Sequence, residues 1–549
     1  MNQQTALLSI EQLQVCIAGR PLIHGLDLQL RAGQILGLVG ESGSGKSLTA
    51  LSILGLLPRG AQRAGRILLD GEDLLTKSER ALNAIRGRDI GMVFQEPMTA
   101  LNPLIPIGEQ VAEVLRLHGG LARRAALARA AELLERVGLP AARFGLERYP
   151  HQLSGGQRQR VAIAIAIALK PRLLIADEPT TALDVSTQAQ ILELLRRLVR
   201  EEGCALLLVT HDLAVVAELA DRVAVLREGG VVEEGAAQSV LSHPREAYTQ
   251  GLLQHSRLPR QAPRYGDRSD GADAAPLLEV RELVREYRLG GGLFAKPTGL
   301  RAVDGVSLTV RPGETVGLVG ESGCGKSTLL RAILGLDAPQ GGEIRLQGQV
   351  YTGREPALRR RVQIVFQDPY GSFDPRWRVW QLVAEPLHLL GRMPDPAECR
   401  RRVGALLEQV GLRAADAERF AHEFSGGQRQ RIAIARALIT EPALIVLDEA
   451  VSALDVSIRA QILALLARLA RERGIAYLFV SHDLAVVRAI TERVYVMAQG
   501  RIVESGATQE VFEAPQHPYT ARLLAATPDL ERALAARALP QPLVDLAEA

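Results

Sequence analysis

Cysteine is scarce in this chain: 549 residues hold four. Cys16, Cys204, Cys324 and Cys399 stand singly, none at metal-ligand spacing. That argues against a disulfide or zinc framework and leads us to expect a reducing compartment. An excess of one charge sign is also missing, since 65 Lys and Arg face 62 Asp and Glu. The balance gives no global reason for nucleic-acid binding. Long apolar runs are missing too. The longest, residues 161–169, falls far short of the ~20 residues needed to cross a bilayer. The opening residues MNQQTALLSIEQ lack a basic stretch followed by an apolar core, so no secretory signal is expected. Any membrane role is therefore expected to run through partners.

What is present is a duplication. The chain is too long for a single core, and its 47% hydrophobic and 23% charged residues are ordinary for a soluble globular protein. Residues 40–47 read Gly-Glu-Ser-Gly-Ser-Gly-Lys-Ser, and residues 320–327 read Gly-Glu-Ser-Gly-Cys-Gly-Lys-Ser. Ser-Gly-Gly-Gln-Arg-Gln-Arg occurs at 154–160 and again at 425–431. Val93-Phe94-Gln95 matches Val365-Phe366-Gln367, Asp177-Glu178 matches Asp448-Glu449, and His211-Asp212 matches His482-Asp483. A repeat of this length means duplicated domains rather than a solenoid. The expected organisation is one domain over 1–255, a polar, turn-rich linker over 256–276, and a second domain over 277–549. A flexible linker of that length spans on the order of 25 Å, enough for the halves to pack face to face.

Each half reads as strand, glycine loop, helix, then further strands and helices. Residues 35–39, 173–176 and 205–209 are short apolar strands, matched by 315–319, 444–447 and 476–480. Continuous apolar strands alternating with helices suggest a sheet covered on both faces. Residues 107–149, rich in Ala, Leu, Arg and Glu, read as an inserted helical subdomain.

The pattern G-x-x-x-x-G-K-[ST] is a P-loop. Its glycines (Gly40, Gly43 and Gly45; Gly320, Gly323 and Gly325) let backbone N–H groups turn towards phosphate oxygens. Lys46 and Lys326 are placed to reach β- and γ-phosphates. Ser47 and Ser327 offer a hydroxyl to Mg²⁺, and the following helix adds its positive end. Asp177 and Asp448, ending apolar strands, are candidates to hold Mg²⁺ through water. Glu178 and Glu449 are placed to polarise an attacking water. His211 and His482 follow a further strand and are candidate γ-phosphate sensors. Ser154 and Ser425 read as helix N-caps. Together with Gly156, Gln157, Gly427 and Gln428 they form a second anion motif, which makes sense if the phosphate comes from the opposite domain.

The segments Leu153-Ser-Gly-Gly-Gln157 and Phe424-Ser-Gly-Gly-Gln428 resemble the signature of ABC ATPases, and the resemblance covers both halves. It implies an α/β fold of two tandem P-loop NTPase domains. Each would have a RecA-like α/β core, an antiparallel β subdomain and an inserted helical subdomain. It also implies a head-to-tail pair sandwiching two ATP molecules. Site one would join Lys46, Ser47, Gln95, Asp177, Glu178 and His211 to the signature 425–428. Site two would join Lys326, Ser327, Gln367, Asp448, Glu449 and His482 to 154–157. By the same resemblance Gln95 and Gln367 touch the metal, and Asp184 and Asp455 belong to D-loops crossing the interface.

Phe94-Gln-Glu-Pro and Phe366-Gln-Asp-Pro resemble the peptide/nickel importer subfamily, as does His517-Pro-Tyr-Thr520, echoed by His243-Pro-Arg-Glu-Ala-Tyr-Thr249. This implies an ATP-hydrolysing importer subunit at the cytoplasmic face of the inner membrane. Its partners would be two permeases and a solute-binding protein. Peptide, microcin C and glutathione systems are not separated by motif. An exporter ATPase, or a soluble ABC protein of translation or DNA repair, is the rival reading. Three departures stand out. The adenine-stacking aromatic of the family aligns with Tyr287 in the second half but Ile17 in the first, so weaker ATP binding is expected at site one. The other reading of Tyr287 is a strand-core aromatic. Ala450 stands where Pro179 follows the first glutamate. No cysteine cluster follows either His-Pro copy, so no iron–sulfur cluster is expected. Cys324 reads as a small tolerated loop residue or a redox switch.

Overall fold

A computed structural model describes residues 6–96, 100–181, 183–258, 275–289, 298–369, 371–452 and 454–538. Most of the expected linker, together with Ala182 and Ala453 of the expected D-loops, lies outside them. Each half is built on a six-stranded sheet. In the first half the order is Gly230–Ala236, Arg222–Arg227, Ile35–Val39, Ala205–Val209, Leu173–Asp177, Ile90–Val93. The inner pairings are parallel and only the Gly230–Ala236 edge is antiparallel. The second half repeats this with Thr315–Val319 beside Ala476–Val480 and Arg493–Ala498.

The reason lies in the strand composition. Ile35–Val39, Ala205–Val209, Thr315–Val319 and Ala476–Val480 are buried at every residue. Strands without a polar face need helices on both sides, and this is the parallel arrangement. A separate four-stranded antiparallel sheet flanks each core: Leu8–Ile17 pairs with Arg20–Leu30 and Gln62–Leu69, and Leu278–Leu289 with Thr298–Val310 and Gly341–Leu346. Residues 107–149 hold the helices Ile107–Leu117 and Arg123–Arg136, as the composition suggests.

The halves interlock through their C-terminal helices. Ala247–Ser256 packs on Val456–Arg473 of the other half, and Pro518–Ala526 on Val185–Glu202. The last helix, Leu530–Ala538, leaves its own half and lies on Leu213–Leu219 and Ala237–Ser242. Its Leu530 and Leu534 are buried within the core of the first half. Arg257 pairs with Glu531 at 2.8 Å across the same seam. No motif in the sequence marks this crossing.

Candidate functional site

Both P-loops sit between a buried strand and a helix beginning at the lysine, Lys46–Leu54 and Lys326–Ile333. Gly45 and Gly325 adopt φ of 103° and 113°, a region that L side chains rarely enter. A Cβ on Gly325 would lie 2.1 Å from the Ala302 carbonyl oxygen, so glycine is required. The lysine ammonium groups are buried and curl back on their own loops. Lys46 donates to the carbonyls of Gly40 and Glu41, both at 2.8 Å. Lys326 donates to Gly320 and Glu321 at 2.7 and 2.9 Å. Burial lowers the pKa of Lys46.

Asp177 and Asp448 end their strands as expected. Ser47 Oγ donates to Asp177 Oδ1 at 3.2 Å. Burial, with Glu178 adjacent, pushes the Asp177 carboxyl up to about 6. Asp448 is likewise pushed up to about 6 by burial and by Glu449. The neighbouring glutamates behave oppositely. Burial raises them, but the imidazoles of His211 and His482, both 3.1 Å away, outweigh it and hold Glu178 and Glu449 below the usual range. Burial of His482 is in turn outweighed by Glu449, and its pKa rises. Adjacent carboxylates with pKa values pushed apart are a functional-site pattern.

Glu178 and Glu449 also sit at φ of 46° and 48°. A non-glycine residue there stores about 1–3 kcal/mol of strain. Their N–H groups donate to Val209 and Val480 carbonyls at 2.8 and 2.9 Å, which pins the kink and turns each side chain to its histidine. Thr181 Oγ1 and Gln95 Nε2 donate to Glu178 at 2.9 and 3.0 Å. Gln367 is exposed on the matching loop.

Ser154 and Ser425 cap the helices Gly155–Ala166 and Gly426–Leu438. Each accepts from the N–H of Gln157 or Gln428, whose side chain returns to the serine N–H. Behind them Gly156 and Gly427 touch the helices that follow the D-loops: a Cβ would fall 2.2 Å from Thr187 Cγ2 and 2.5 Å from Ile458 Cγ2. Signature and D-loop helix are therefore packed as one piece in each half.

That piece reaches the other half. Asp455 Oδ1 accepts from the Ser42 N–H at 2.9 Å, and Ser186 Oγ donates to Glu321 Oε1 at 2.5 Å. Asp184 instead caps its own helix by accepting from the Thr187 N–H at 2.9 Å. Between the halves lies a cavity of about 830 Å³ whose lining includes Thr181, His211, Arg459 and His482. Tyr287 is half-buried: its hydroxyl donates to Asp337 at 3.2 Å and the Arg285 guanidinium lies 4.9 Å from its ring centre. Ile17 packs at the edge of the first-half core. Cys324 is buried, and burial raises its thiol pKa.

Residues 23–181 and 303–452 match the family described as "ABC transporter". The chain belongs to this family. As an ABC protein with two tandem cassettes it binds and hydrolyses ATP, and the expected fold class is borne out. Residues 503–548 match the "Oligopeptide/dipeptide transporter, C-terminal region". Similar proteins include the glutathione import ATP-binding protein GsiA of Salmonella typhimurium (strain LT2), 48% identical over 92% of this chain and 86% of that protein. GsiA of Escherichia coli O157:H7 is also 48% identical, over 93% and 87%. Among solved structures, the complex of the archaeal ribosomal stalk protein aP1 with the ribosome recycling factor aABCE1 covers 89% of this chain and 88% of its own, with a TM-score of 0.58 and 22% identity. That likeness shows the fold alone.

Proposed function

We propose that this ABC protein is the ATP-hydrolysing subunit of an importer for glutathione, peptides or a related small solute. The observation that carries the reading is 48% identity over 92% of the chain to glutathione import ATP-binding proteins. It is supported by a chain that keeps both acidic pairs, both histidines and both signatures. The proposed units are a cassette over 1–255, a linker over 256–276 and a cassette over 277–549.

Lys46 and Lys326 neutralise the β- and γ-phosphates, and the glycine-loop N–H groups cradle them. The signature of the other half closes each site: 425–428 on the first loop, 154–157 on the second. Asp455 braces the facing loop through the Ser42 N–H, Asp184 caps the helix behind the other D-loop, and Tyr287 stacks on adenine in the second site. Ser47, Gln95 and Asp177, with Ser327, Gln367 and Asp448, are the Mg²⁺ set. The hydroxyl–carboxylate pair of Ser47 and Asp177 presents hard oxygen donors, which fits Mg²⁺. When bound, the ion offsets charge on the phosphates. Glu178 and Glu449 orient the attacking water, and His211 and His482 hold those carboxylates and sense the γ-phosphate. The water oxygen bonds to the γ-phosphorus and gives up a proton towards the glutamate carboxylate as the bond to the β,γ-bridging oxygen breaks, leaving ADP and phosphate.

ATP bound by both cassettes favours the closed pair, and hydrolysis releases it. The motion would pass to two permease subunits at the loops of Gln95 and Gln367. Close to them in sequence, Phe94, Phe366, Trp377 and Leu104 are exposed, the last at 83%. A periplasmic or lipid-anchored solute-binding protein would deliver the solute. The place of action is the cytoplasmic face of the bacterial inner membrane. Among the described residues no helix is long and apolar enough to cross a membrane.

The test is uptake of labelled glutathione and of a labelled dipeptide by a gene-deleted strain complemented with the wild-type chain or with the Glu178→Gln, Glu449→Gln double variant. Uptake restored only by the wild type, with two multi-span permeases co-purifying, supports the reading. Co-sedimentation with ribosomes and no effect on uptake overturns it.

A further inference from the structure

The Tyr-Thr pairs near the end of each half lie outside the phosphate, acid and signature groups. In the structure both tyrosines reach a P-loop. Tyr248 Oη accepts from the Glu41 N–H at 3.2 Å, and Tyr519 Oη accepts from the Glu321 N–H at 2.9 Å. Glu41 and Glu321 are the second residues of their loops, and the same contact arises in both copies.

The tyrosine-bearing helices are anchored for this. Glu233, on the edge strand, accepts from the N–H groups of Arg245 and Glu246, and Glu504 accepts from Gln516 and His517. The structure also corrects which residues the copies share. His517 caps its helix by accepting from the Tyr519 N–H at 3.1 Å. Glu246 takes that place in the first half, whereas His243 ends the preceding helix. The shared element is Tyr-Thr, not His-Pro.

Tyr519 also meets the other half, and Tyr248 lies beside a contact to it. Tyr519 is buried in a cluster with Val185, the first residue of the opposing helix Val185–Glu202. Beside Tyr248, the next N–H of the loop, that of Ser42, is bound by Asp455 of the opposing half. Adjacent amides of one loop are thus held by a tyrosine from the same cassette and an aspartate from the other. Burial pushes the Tyr519 hydroxyl up to about 12, so it stays neutral at physiological pH.

We propose that Tyr248 and Tyr519 are positioning residues that hold each P-loop backbone in register with the D-loop helix of the opposite cassette, so that nucleotide affinity at each loop depends on docking of the halves. The inference rests on the P-loops being the ATP sites.

The test is binding of a fluorescent ATP analogue with Mg²⁺ to the full chain, one site at a time. Lys326→Ala leaves site one to be read and Lys46→Ala leaves site two. Loss of one hydroxyl hydrogen bond is worth about fivefold. Tyr248→Phe should therefore raise Kd about fivefold at site one and leave site two within twofold. Tyr519→Phe should do the reverse. Val185→Ala should weaken site two and combine non-additively with Tyr519→Phe. If Tyr519→Phe does not fold, the half-buried Tyr248 carries the same test. Unchanged Kd in the Phe variants, with binding lost in the double lysine variant, overturns this inference and leaves the site reading intact. Additivity with Val185→Ala, or an equal loss at both sites with a lowered midpoint, also overturns it. Retained binding in the double lysine variant overturns both.

Discussion

The carboxylate of Asp455 accepts a hydrogen bond from the backbone N–H of Ser42, 413 residues away in sequence, at 2.9 Å. Its counterpart Asp184 spends its carboxylate on the Thr187 N–H of its own helix. Equivalent positions of one duplicated motif thus do different work. Removing Asp455 should cost an interdomain, charge-assisted contact, and removing Asp184 a helix cap. We expect Asp184→Ala to destabilise the chain by about 1 kcal/mol, the usual worth of a cap. Asp455→Ala should spare stability and lower ATP turnover. Thermal unfolding and steady-state ATPase rates of the two variants check this, and identical profiles would refute it.

Glu178 and Glu449 are expected to carry the chemistry while adding little to ground-state binding. The double variant Glu178→Gln, Glu449→Gln should lose about 10²–10⁴-fold in kcat, the range for a positioned general base, and retain ATP affinity. Single-turnover hydrolysis and nucleotide titration separate the two effects. A rate within tenfold of wild type would assign the base elsewhere.

Burial places the Asp177 carboxyl at about 6, above its ordinary 3.8. A raised folded-state value means that the native state binds the proton more tightly than the unfolded chain. The contribution is complete below pH 3.8 and lost as pH rises through 6. Without nucleotide, this group should therefore remove up to about 3 kcal/mol of stability between acid and neutral pH. Asp177→Asn should flatten that part of the profile. Denaturant midpoints at pH 4.5 and 7.5 compare the two, and parallel profiles would refute the assignment.

Site one is expected to hold adenine less firmly, because Ile17 stands where the second half has Tyr287. Base stacking on an aromatic is worth about 1–3 kcal/mol, so Ile17→Tyr should tighten ATP at site one by about fivefold or more. Nucleotide titration with site two silenced reads this directly, and an unchanged Kd would sink the idea. Tyr287 lies outside the buried core clusters, as a ligand-facing ring requires.

The last helix is expected to stabilise a domain to which it does not belong in sequence. Leu534 is buried in the first-half core. Leu534→Ala should cost about 2–5 kcal/mol, as for other buried leucines. Hydrogen exchange should show the loss in Leu213–Leu219, not in the second-half sheet. Loosening confined to the second half would contradict the crossing.

Much of the site was legible because its chemistry is local. A P-loop needs glycine at fixed offsets, a lysine and a hydroxyl, all within eight residues, and both copies kept them. Asp177 and Asp448 are legible at strand ends because the apolar run before each is continuous. Ser154 and Ser425 are legible as caps, since capping depends on the next three residues. The positive φ at Glu178 and Glu449 left no such trace, because a glutamate carries no conformational signal in its type. The roles of Tyr248 and Tyr519 were hidden for another reason: each contact spans about two hundred residues.

The repeat, the parallel cores and the phosphate, acid and histidine motifs are readable from consecutive residues, because periodicity and short-range hydrogen bonding are local. How two halves that share their motifs become unequal emerges only from packing. Asp455 reaches across while Asp184 does not, Ser186 meets Glu321, and Leu530 and Leu534 leave one half to seal the other. Contacts between distant segments depend on packing, where one changed neighbour redirects a side chain without altering the motif that contains it.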